Sequence, residues 1–270
     1  MRLLNLVPKR PAAILLAAVP FGLVLLAYTV GSELRLAANP SDRLLPALST
    51  IGNTAVDLFT QPDRRSGDIL LWQDTLVSLQ RLFLGVGLAS VVALGLGIAI
   101  GMLPYARATL SSFVAVVSMV PPLALLPILF IVFGLGEVSK VALITIGITP
   151  FMIRDLSQRV QDIPHEEIIK AQTLGGSTNV IASRVVLPQI LPRLISSIRL
   201  SLGSAWLFLI AAEAVASDVG LGYRIFLVRR YLAMDVILTY VIWITLLAFL
   251  IDLALKAFSR RAFPWMGASL

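Results

Sequence analysis

The sequence has no cysteine, one histidine and few charged residues. Without cysteine, the 270-residue chain cannot form a disulfide, a thiolate metal site or a thiol nucleophile. His165 is the single histidine, which excludes a multi-histidine metal site within one chain. Charged residues make up 14% of the chain, against roughly 25% in soluble domains. Hydrophobic residues make up 58%, and the mean hydropathy is +0.91. A water-soluble globule needs more polar surface than this, so we expect a membrane protein.

Long apolar runs predict membrane-spanning helices, because a bilayer core about 30 Å thick needs roughly 20 apolar residues per helix. Backbone amides in hydrocarbon must bond within their own segment, which favours helices over loops or open strands. The expected fold class is therefore all-α, a polytopic membrane protein with about six transmembrane helices. The runs cover about residues 12–31, 82–103, 108–134, 138–156, 194–216 and 235–256.

The N-terminal run has two interpretations. Arg2, Lys9 and Arg10 precede it, as basic residues precede a secretory signal peptide. The run is longer than the roughly 7–15 residues of a signal h-region, and no clear A-x-A site follows it, which favours a retained first span. The expected organisation is an N-terminal transmembrane helix in 1–32, an extracytoplasmic loop with a short interfacial helix near 47–59 in 33–75, a core in 76–260 and a cytoplasmic tail in 261–270.

The net charge of +7 is better explained by membrane topology than by nucleic acid, because Lys and Arg lie between apolar runs and form no long basic block. Thirteen of the 22 basic residues lie on one set of alternate connections and nine, including Arg64 and Arg65, on the other. The short connection 154–193 is the strongest element of this bias. It and both termini are therefore expected in the cytoplasm.

The connection from Asp162 to Pro192 predicts a protruding helical hairpin. Pro164 suits the start of a helix, and Glu166 and Glu167 suit its first turn. Gly175 and Gly176 are expected to end that helix. Ser177 or Thr178 then caps a second helix, which Pro188 ends or kinks. Two interpretations stay open from the pattern alone: a stiff projection that docks into a partner, and an amphipathic hairpin on the lipid surface.

This stretch resembles the signature of permease subunits of ATP-binding-cassette importers, in which E-A-A, three residues and G are followed after nine residues by I-x-L-P. Here Gly175 is followed after nine residues by Val185, then Leu187 and Pro188. The E-A-A position reads Lys170-Ala171-Gln172, which keeps one alanine and reverses a charge. Segments 118–140, 184–217, 220–225 and 260–265 are similar to the nitrate, sulfonate, taurine and bicarbonate branch.

The resemblance implies a permease without its own ATPase, in a bacterial cytoplasmic (inner) membrane. Its expected cargo is a small polar solute: nitrate, a sulfonate, or a urea- or guanidine-like nitrogen compound. The expected partners are a second copy of the chain, two cytoplasmic ATP-binding subunits that carry ATP and Mg, an extracytoplasmic solute-binding protein and membrane lipid, but no nucleic acid. The residues expected to couple to the ATPase are Glu167, Lys170, Ala171, Gln172, Leu174, Gly175, Val185, Leu187 and Pro188.

Breaks and charges inside the runs give candidates for the translocation path. Pro121-Pro122 and Pro127 interrupt the third run, which predicts either a broken helix beside the path or a plain kink. Glu213 in the fifth run must find a partner, for which Arg224, Arg229 and Arg230 are near in sequence. It is either a structural ion pair or a cargo or gate contact. The path candidates are Met119, Pro121, Pro122 and Glu213.

Other features of the runs leave their roles open. Arg81 and Arg199 are expected to snorkel to the interfaces. Small residues allow close helix approach in the core or at a dimer seam. They are Gly85, Gly87, Gly95, Gly97 and Gly101 in the second run, and Ser197, Ser201, Gly203, Ser204 and Ala205 in the fifth.

Two other functional classes compete with the permease. A stand-alone, ion-coupled carrier or channel would place Asp, Glu or His repeatedly in mid-span, and the runs offer Glu213 and Asp252. An intramembrane enzyme has little support, since the sequence has no Cys, one His and no metal-ligand cluster. The sequence also lacks the G-x-x-x-x-G-K-[ST] phosphate loop, so a partner polypeptide is expected to bind ATP and this chain is not expected to be an enzyme.

Overall fold

The computed structural model describes residues 9–40, 42–63 and 67–265. Arg2, Arg64 and Arg65, which entered the sidedness count, and residues 266–270 of the predicted tail lie outside the described residues. Within the described ranges the secondary structure is helical and has no strand, which confirms the all-α prediction. The helices are α1 (Arg10–Ala38), α2 (Leu48–Thr60), α3 (Leu70–Met102), α4 (Pro104–Val117), α5 (Leu126–Phe133), α6 (Glu137–Gln161), α7 (His165–Thr173), α8 (Thr178–Ala216), α9 (Leu221–Val228) and α10 (Met234–Ala262).

The chain divides into two compact units. The first comprises Met1–Ile69 and Leu227–Val241, and the second comprises Leu70–Phe226 and Ile242–Leu270. In the first unit, Tyr28 and Ser32 of α1 donate hydrogen bonds to the carbonyls of Pro46 (2.7 Å) and Leu45 (2.9 Å). Thr54 donates to Asp235 at 2.8 Å. These bonds fix α2, which confirms a short helix near 47–59.

The second unit is organised around two parallel helices, α3 and α6. A Cβ atom added to Gly85, Gly97 or Gly101 would lie 2.7, 2.8 or 2.4 Å from side-chain atoms of Ile144, Leu156 and Val160. Each of these contacts joins residues 59 positions apart, so the two helices run in the same direction without changing register. Because glycine has no side chain, the two backbones can approach this closely.

The glycines of α3 therefore have two different surroundings. Gly85, Gly97 and Gly101 pack inside the chain against α6, whereas Gly87 and Gly95 have nothing within 4 Å of an added Cβ. The small residues of α8 divide in the same way. Ser197, Ser201 and Ala205 are buried, while Gly203 and Ser204 are exposed. From the sequence, the small residues of α3 and α8 could serve either core packing or a dimer seam. The structure places the buried ones in the core of the second unit.

The third apolar run is broken near its prolines, as predicted. α4 ends at Val117, a short 3₁₀ turn covers Pro122–Leu125, and α5 follows at a bend of 83° to α4. Proline lacks the N–H of a helix hydrogen bond, and its ring restricts the preceding residue to extended conformations, so the consecutive Pro121 and Pro122 do not continue α4.

Among the described residues, four helices are long and apolar enough to cross a membrane, and the bent α4–α5 pair makes up to five. They are α1 from Pro11, α3, α8 and α10. The fourth predicted run, 138–156, lies in α6, which is less apolar because Lys140, Arg154 and Asp155 interrupt its sequence. α6 nevertheless lies beside α3 from Ile144 to Val160. Because α6 is largely surrounded by protein, it can carry more polar residues than a helix that faces lipid.

The glycine contacts predict a matched pair of stability effects. Gly101→Ala places a methyl group against Val160 and is expected to lower the free energy of unfolding by about 1–3 kcal/mol. Gly95→Ala has open space around its Cβ and lies in the same helix, so it should be neutral or slightly stabilising. Thermal unfolding of the two detergent-purified variants measures the difference. Equal melting temperatures would contradict the α3–α6 packing.

Candidate functional site

The connection between α6 and α8 forms the predicted hairpin. Pro164, predicted as the first helical residue, is instead the N-cap of α7, which begins one position later at His165, and Glu166 and Glu167 lie in the first turn. Negative charge there interacts favourably with the positive end of the helix dipole. Glu167 also accepts a hydrogen bond from Gln189 of α8 at 2.9 Å. This contact ties the short helix to the start of the long one.

Gly175 and Gly176 end α7 for two separate reasons. The Gly175 N–H donates to the Gln172 carbonyl (2.9 Å) and the Gly176 N–H to the Ala171 carbonyl (3.0 Å). This is the Schellman arrangement, which requires a left-handed residue directly after the C-cap. Gly175 supplies it with φ +80°. At Gly176 the constraint is space, since a Cβ would lie 2.7 Å from the Ala171 oxygen.

The second half of the hairpin differs from the prediction. Ser177 occupies the N-cap position of α8 but makes no side-chain cap hydrogen bond. Pro188 does not end a short second helix, because α8 continues to Ala216. The turn before it, Ala182–Val186, widens to a π-helix in which the Leu187 N–H bonds the Ala182 carbonyl. Widening accommodates the proline ring, which would clash with the carbonyl four residues earlier in a regular helix.

The predicted coupling residues occupy one continuous hairpin. Glu167, Lys170, Gln172, Leu174 and Gly175 are exposed, and Ala171, Val185, Leu187 and Pro188 are half-buried. Leu174 lies at the hairpin tip and is 88% exposed, more than almost any other large apolar side chain described. An apolar side chain on a hydrogen-bonded turn, with charged neighbours in the same helix, is suited to burial in a partner.

The path candidates do not form one site. Met119 is 77% exposed at the α4–α5 bend, next to Ser118, which accepts a hydrogen bond from Arg154 of α6 at 3.0 Å. Glu213 is fully buried beside an arginine that also binds Glu137, the first residue of α6. Positions 137 and 154 are about 26 Å apart along a helix. The bend and Glu213 therefore belong to different levels of the molecule.

Glu213 is held by Arg81, and not by the arginines that follow it in the sequence. The Arg81 guanidinium donates to Glu213 at 2.7 Å, to Glu137 at 2.5 and 2.6 Å, and to the Val219 carbonyl at 2.8 Å. Arg81 is 4% exposed, so the prediction that it snorkels to an interface is wrong. Buried charge requires a partner, and this guanidinium is long and planar enough to join two carboxylates.

The same cluster fixes the turn between α8 and α9. The N–H groups of Gly220, Leu221 and Gly222 donate to Asp74 (2.9 Å), Ser78 (2.9 Å) and Glu213 (2.8 Å). Ser78 in turn donates to Glu213 at 2.7 Å. Gly220 has φ +137°, and its Cβ would lie 2.6 Å from the Glu213 carboxyl carbon, so no other residue fits there.

Two further ion pairs correct the sequence prediction. Arg224 pairs with Asp74 at 2.8 Å rather than with Glu213. Arg199 pairs with Asp252 of α10 at 2.7 Å rather than snorkelling alone. The sequence carried a signal for the first cluster, because Asp74, Ser78 and Arg81 follow the i, i+4, i+7 spacing of one helical face.

The described ranges contain no group of three or more His, Asp or Glu residues that could hold a metal ion. The buried cluster around Arg81 consists of paired charges and bonded backbone amides. Such an arrangement holds helix ends in place and offers no activated nucleophile or general base among these residues.

The buried cluster predicts a large stability effect at Glu213. Glu213→Gln removes the charge without changing size and is expected to lower the free energy of unfolding by about 3 kcal/mol. We expect the low end of the usual range because Glu137 still pairs with Arg81. Asp252→Asn breaks the more exposed Arg199 pair and should cost less than about 1 kcal/mol. Denaturation of both purified variants tests the difference, and a larger loss for Asp252→Asn would contradict it.

Comparison with known proteins agrees with this architecture. The family model described as binding-protein-dependent transport system inner membrane component matches residues 91–264. The taurine transport system permease protein TauC of Escherichia coli (strain K12) is 37% identical over 200 residues, covering 74% of this chain and 73% of TauC. The bicarbonate transport system permease protein CmpB of Synechococcus elongatus is 31% identical and covers 68% of this chain and 66% of CmpB.

Among solved structures, the fold is similar to a chain of the MetNI methionine ABC transporter in an inward facing conformation. The TM-score is 0.64 at 23% identity, and the match covers 71% of this chain and 95% of that chain. The relatives confirm the predicted branch of permeases. The chain belongs to the family of binding-protein-dependent transport system inner membrane components.

Proposed function

We propose that this chain forms the membrane path of an ATP-binding-cassette importer and is driven by partner ATPases through the α7 hairpin. The observation that supports this most is the hairpin itself: a helix ended by a Schellman turn, with the exposed Leu174 at its tip, between α6 and α8. The sequence has no phosphate loop, which is consistent with ATP bound by another polypeptide.

The geometry of the second unit supports mechanical transmission from the hairpin. α7 follows the end of α6 and precedes α8, and the Glu167–Gln189 hydrogen bond links α7 to α8. The far ends of α6 and α8 are held together by one arginine, since Glu137 and Glu213 both bind Arg81. Force applied at the hairpin therefore acts on two helices that are pinned at their opposite ends. Such a pair tilts instead of separating.

The assembly proposed here contains two copies of this chain, two ATP-binding subunits and a solute-binding protein. ATP binding would bring the two hairpins together and open the path to the outside, and hydrolysis would reset it. The bend at Met119, Pro121 and Pro122 is the proposed gate, because a broken helix leaves carbonyls free to face water or cargo. Glu213 is assigned a structural role, since its carboxylate is fully buried and bonded to Arg81, Ser78 and Gly222.

We propose as cargo a small solute that carries an anionic group, of the sulfonate or bicarbonate type, on the strength of the named relatives. Nitrate and urea- or guanidine-like compounds are supported by the sequence resemblance alone. In membrane vesicles that contain the full importer, labelled taurine uptake should be reduced by excess unlabelled sulfonate and unaffected by urea or guanidine. Inhibition by urea or guanidine in place of sulfonate would contradict this assignment.

The absence of cysteine allows a direct test of sidedness. Ser177 in the hairpin and Ser49 in α2 are both exposed. With the hairpin and both termini in the cytoplasm, Ser49→Cys should react with a membrane-impermeant maleimide in intact spheroplasts. Ser177→Cys should react only after the membrane is permeabilised. The cysteine-free parent is the background control, and the reverse pattern of labelling would contradict the proposed topology.

Docking through the hairpin predicts a specific loss of association. Leu174→Asp puts a charge on the tip and removes an apolar contact, so the chain should retain its ATPase at least about tenfold more weakly. Taurine uptake should fall in parallel. Tyr105→Asp is the matched control, because Tyr105 is 89% exposed, precedes Arg107 on the same predicted membrane face and lies outside the hairpin.

Pull-down of the cognate ATPase with tagged, membrane-extracted chain measures the association. Both variants must reach the membrane at the level of the parent chain, which a blot of the membrane fraction establishes. If Leu174→Asp retains the ATPase as well as Tyr105→Asp does, the hairpin tip is not the docking surface.

A further inference from the structure

A cavity lined by charged and apolar side chains lies beside the root of the hairpin. Its volume is about 460 Å³, within the usual range for small-molecule sites. Arg159 and Asp162 line it from the end of α6, Gln189 and Arg193 from α8, and Trp265 from the segment after α10. All of these residues belong to the second unit.

The cavity lies where three apolar runs end. The run 138–156 stops just before Arg159, the run 194–216 begins just after Arg193, and the run 235–256 stops before Trp265. Residues at such boundaries lie at the level of lipid headgroups, and tryptophan is enriched there. Trp265 is 63% exposed, with its ring packed edge-on against Phe263 at 5.3 Å.

The charges around the cavity leave one arginine available. Arg159 is paired with Asp155 at 3.0 Å, and Asp162 accepts a hydrogen bond from Gln158 at 3.1 Å. Arg193 is half-buried and has no hydrogen-bond or ion-pair partner within the ranges that the structure describes. Its guanidinium carries five N–H donors in a planar fork that suits two oxygens of a phosphate.

We propose that this cavity binds the phosphate of an anionic phospholipid headgroup, with Arg193 as the main contact and Trp265 at its lipid-facing edge. Basic pockets between transmembrane helices on the cytoplasmic side have this chemistry. The amide of Gln189 also lines the cavity, and the same amide bonds Glu167. A bound headgroup would therefore brace the root of the hairpin. This consequence rests on the proposed function, but the proposal that the cavity binds lipid does not.

The test is lipid retention by the full chain, without ATPase or transport. The protein is reconstituted in nanodiscs of phosphatidylcholine with phosphatidylglycerol, extracted, and its bound lipids are counted by native mass spectrometry. The parent chain should retain phosphatidylglycerol in preference to phosphatidylcholine. Arg193→Gln should lower that preference about fivefold, the effect of one basic residue near a membrane surface.

The matched control is Arg184→Gln, which removes an exposed arginine of the same helix outside the cavity and should leave the preference unchanged. Arg193→Lys keeps the charge and should retain most of the preference, which separates lipid binding from misfolding. Equal retention of both lipids by the parent, or equal losses in Arg193→Gln and Arg184→Gln, would overturn the proposal.

Two further measurements distinguish phospholipid from free phosphate and from the ATPase subunit as the occupant of the cavity. If inorganic phosphate raises the melting temperature in phosphatidylcholine nanodiscs as much as phosphatidylglycerol does, the site binds free phosphate and the lipid assignment is wrong. If addition of the ATPase subunit displaces the retained phosphatidylglycerol, the lipid and the ATPase compete for the cavity, and the bound headgroup does not brace the hairpin in the assembled importer. Failure of either kind leaves the Leu174 docking test unaffected.

Discussion

The guanidinium of Arg81 is the interaction on which the second unit depends. It joins α3 to the first residue of α6 through Glu137, to the end of α8 through Glu213 and to the following turn through the Val219 carbonyl. Arg81 and Glu213 are both buried, where an unpaired charge costs more than a lost hydrogen bond, so each stabilises the other. The first residue of α6 and the last turns of α8 are thereby fixed against α3 at one level.

The other helices of the second unit are arranged around that fixed level. α3 and α6 are parallel and locked by glycine contacts that leave no room for sliding. The α7 hairpin lies at the other end of α6 and α8, ended by a hydrogen-bonded turn and followed by a widened π-helical turn. A stiff end, a pinned end and helices of fixed register are what the proposed coupling to a partner needs.

Sequence patterns predicted the elements that depend on local chemistry. Proline at 121 and 122 broke the third run, the glycines at 175 and 176 ended α7, and the apolar runs became long helices. The predictions that failed concern pairing and continuity. Arg81 and Arg199 were expected at interfaces and are paired with Glu213 and Asp252. Pro188 was expected to end or kink the second helix, which instead continues after a π-helical turn. Partners 53 and 132 residues away leave no local periodicity to detect.

The sequence by itself determined that the chain is helical, membrane-embedded and similar to this branch of permeases, because composition, run length and motif spacing are properties of neighbouring residues. Only the tertiary structure decided which glycines of α3 face α6, which carboxylate each buried arginine binds, and which arginine remains available beside the hairpin. Those outcomes depend on the register of α3 against α6 and on the return of α8 past both helices. Register is set by how side chains from distant segments fit together, and no single segment carries that information.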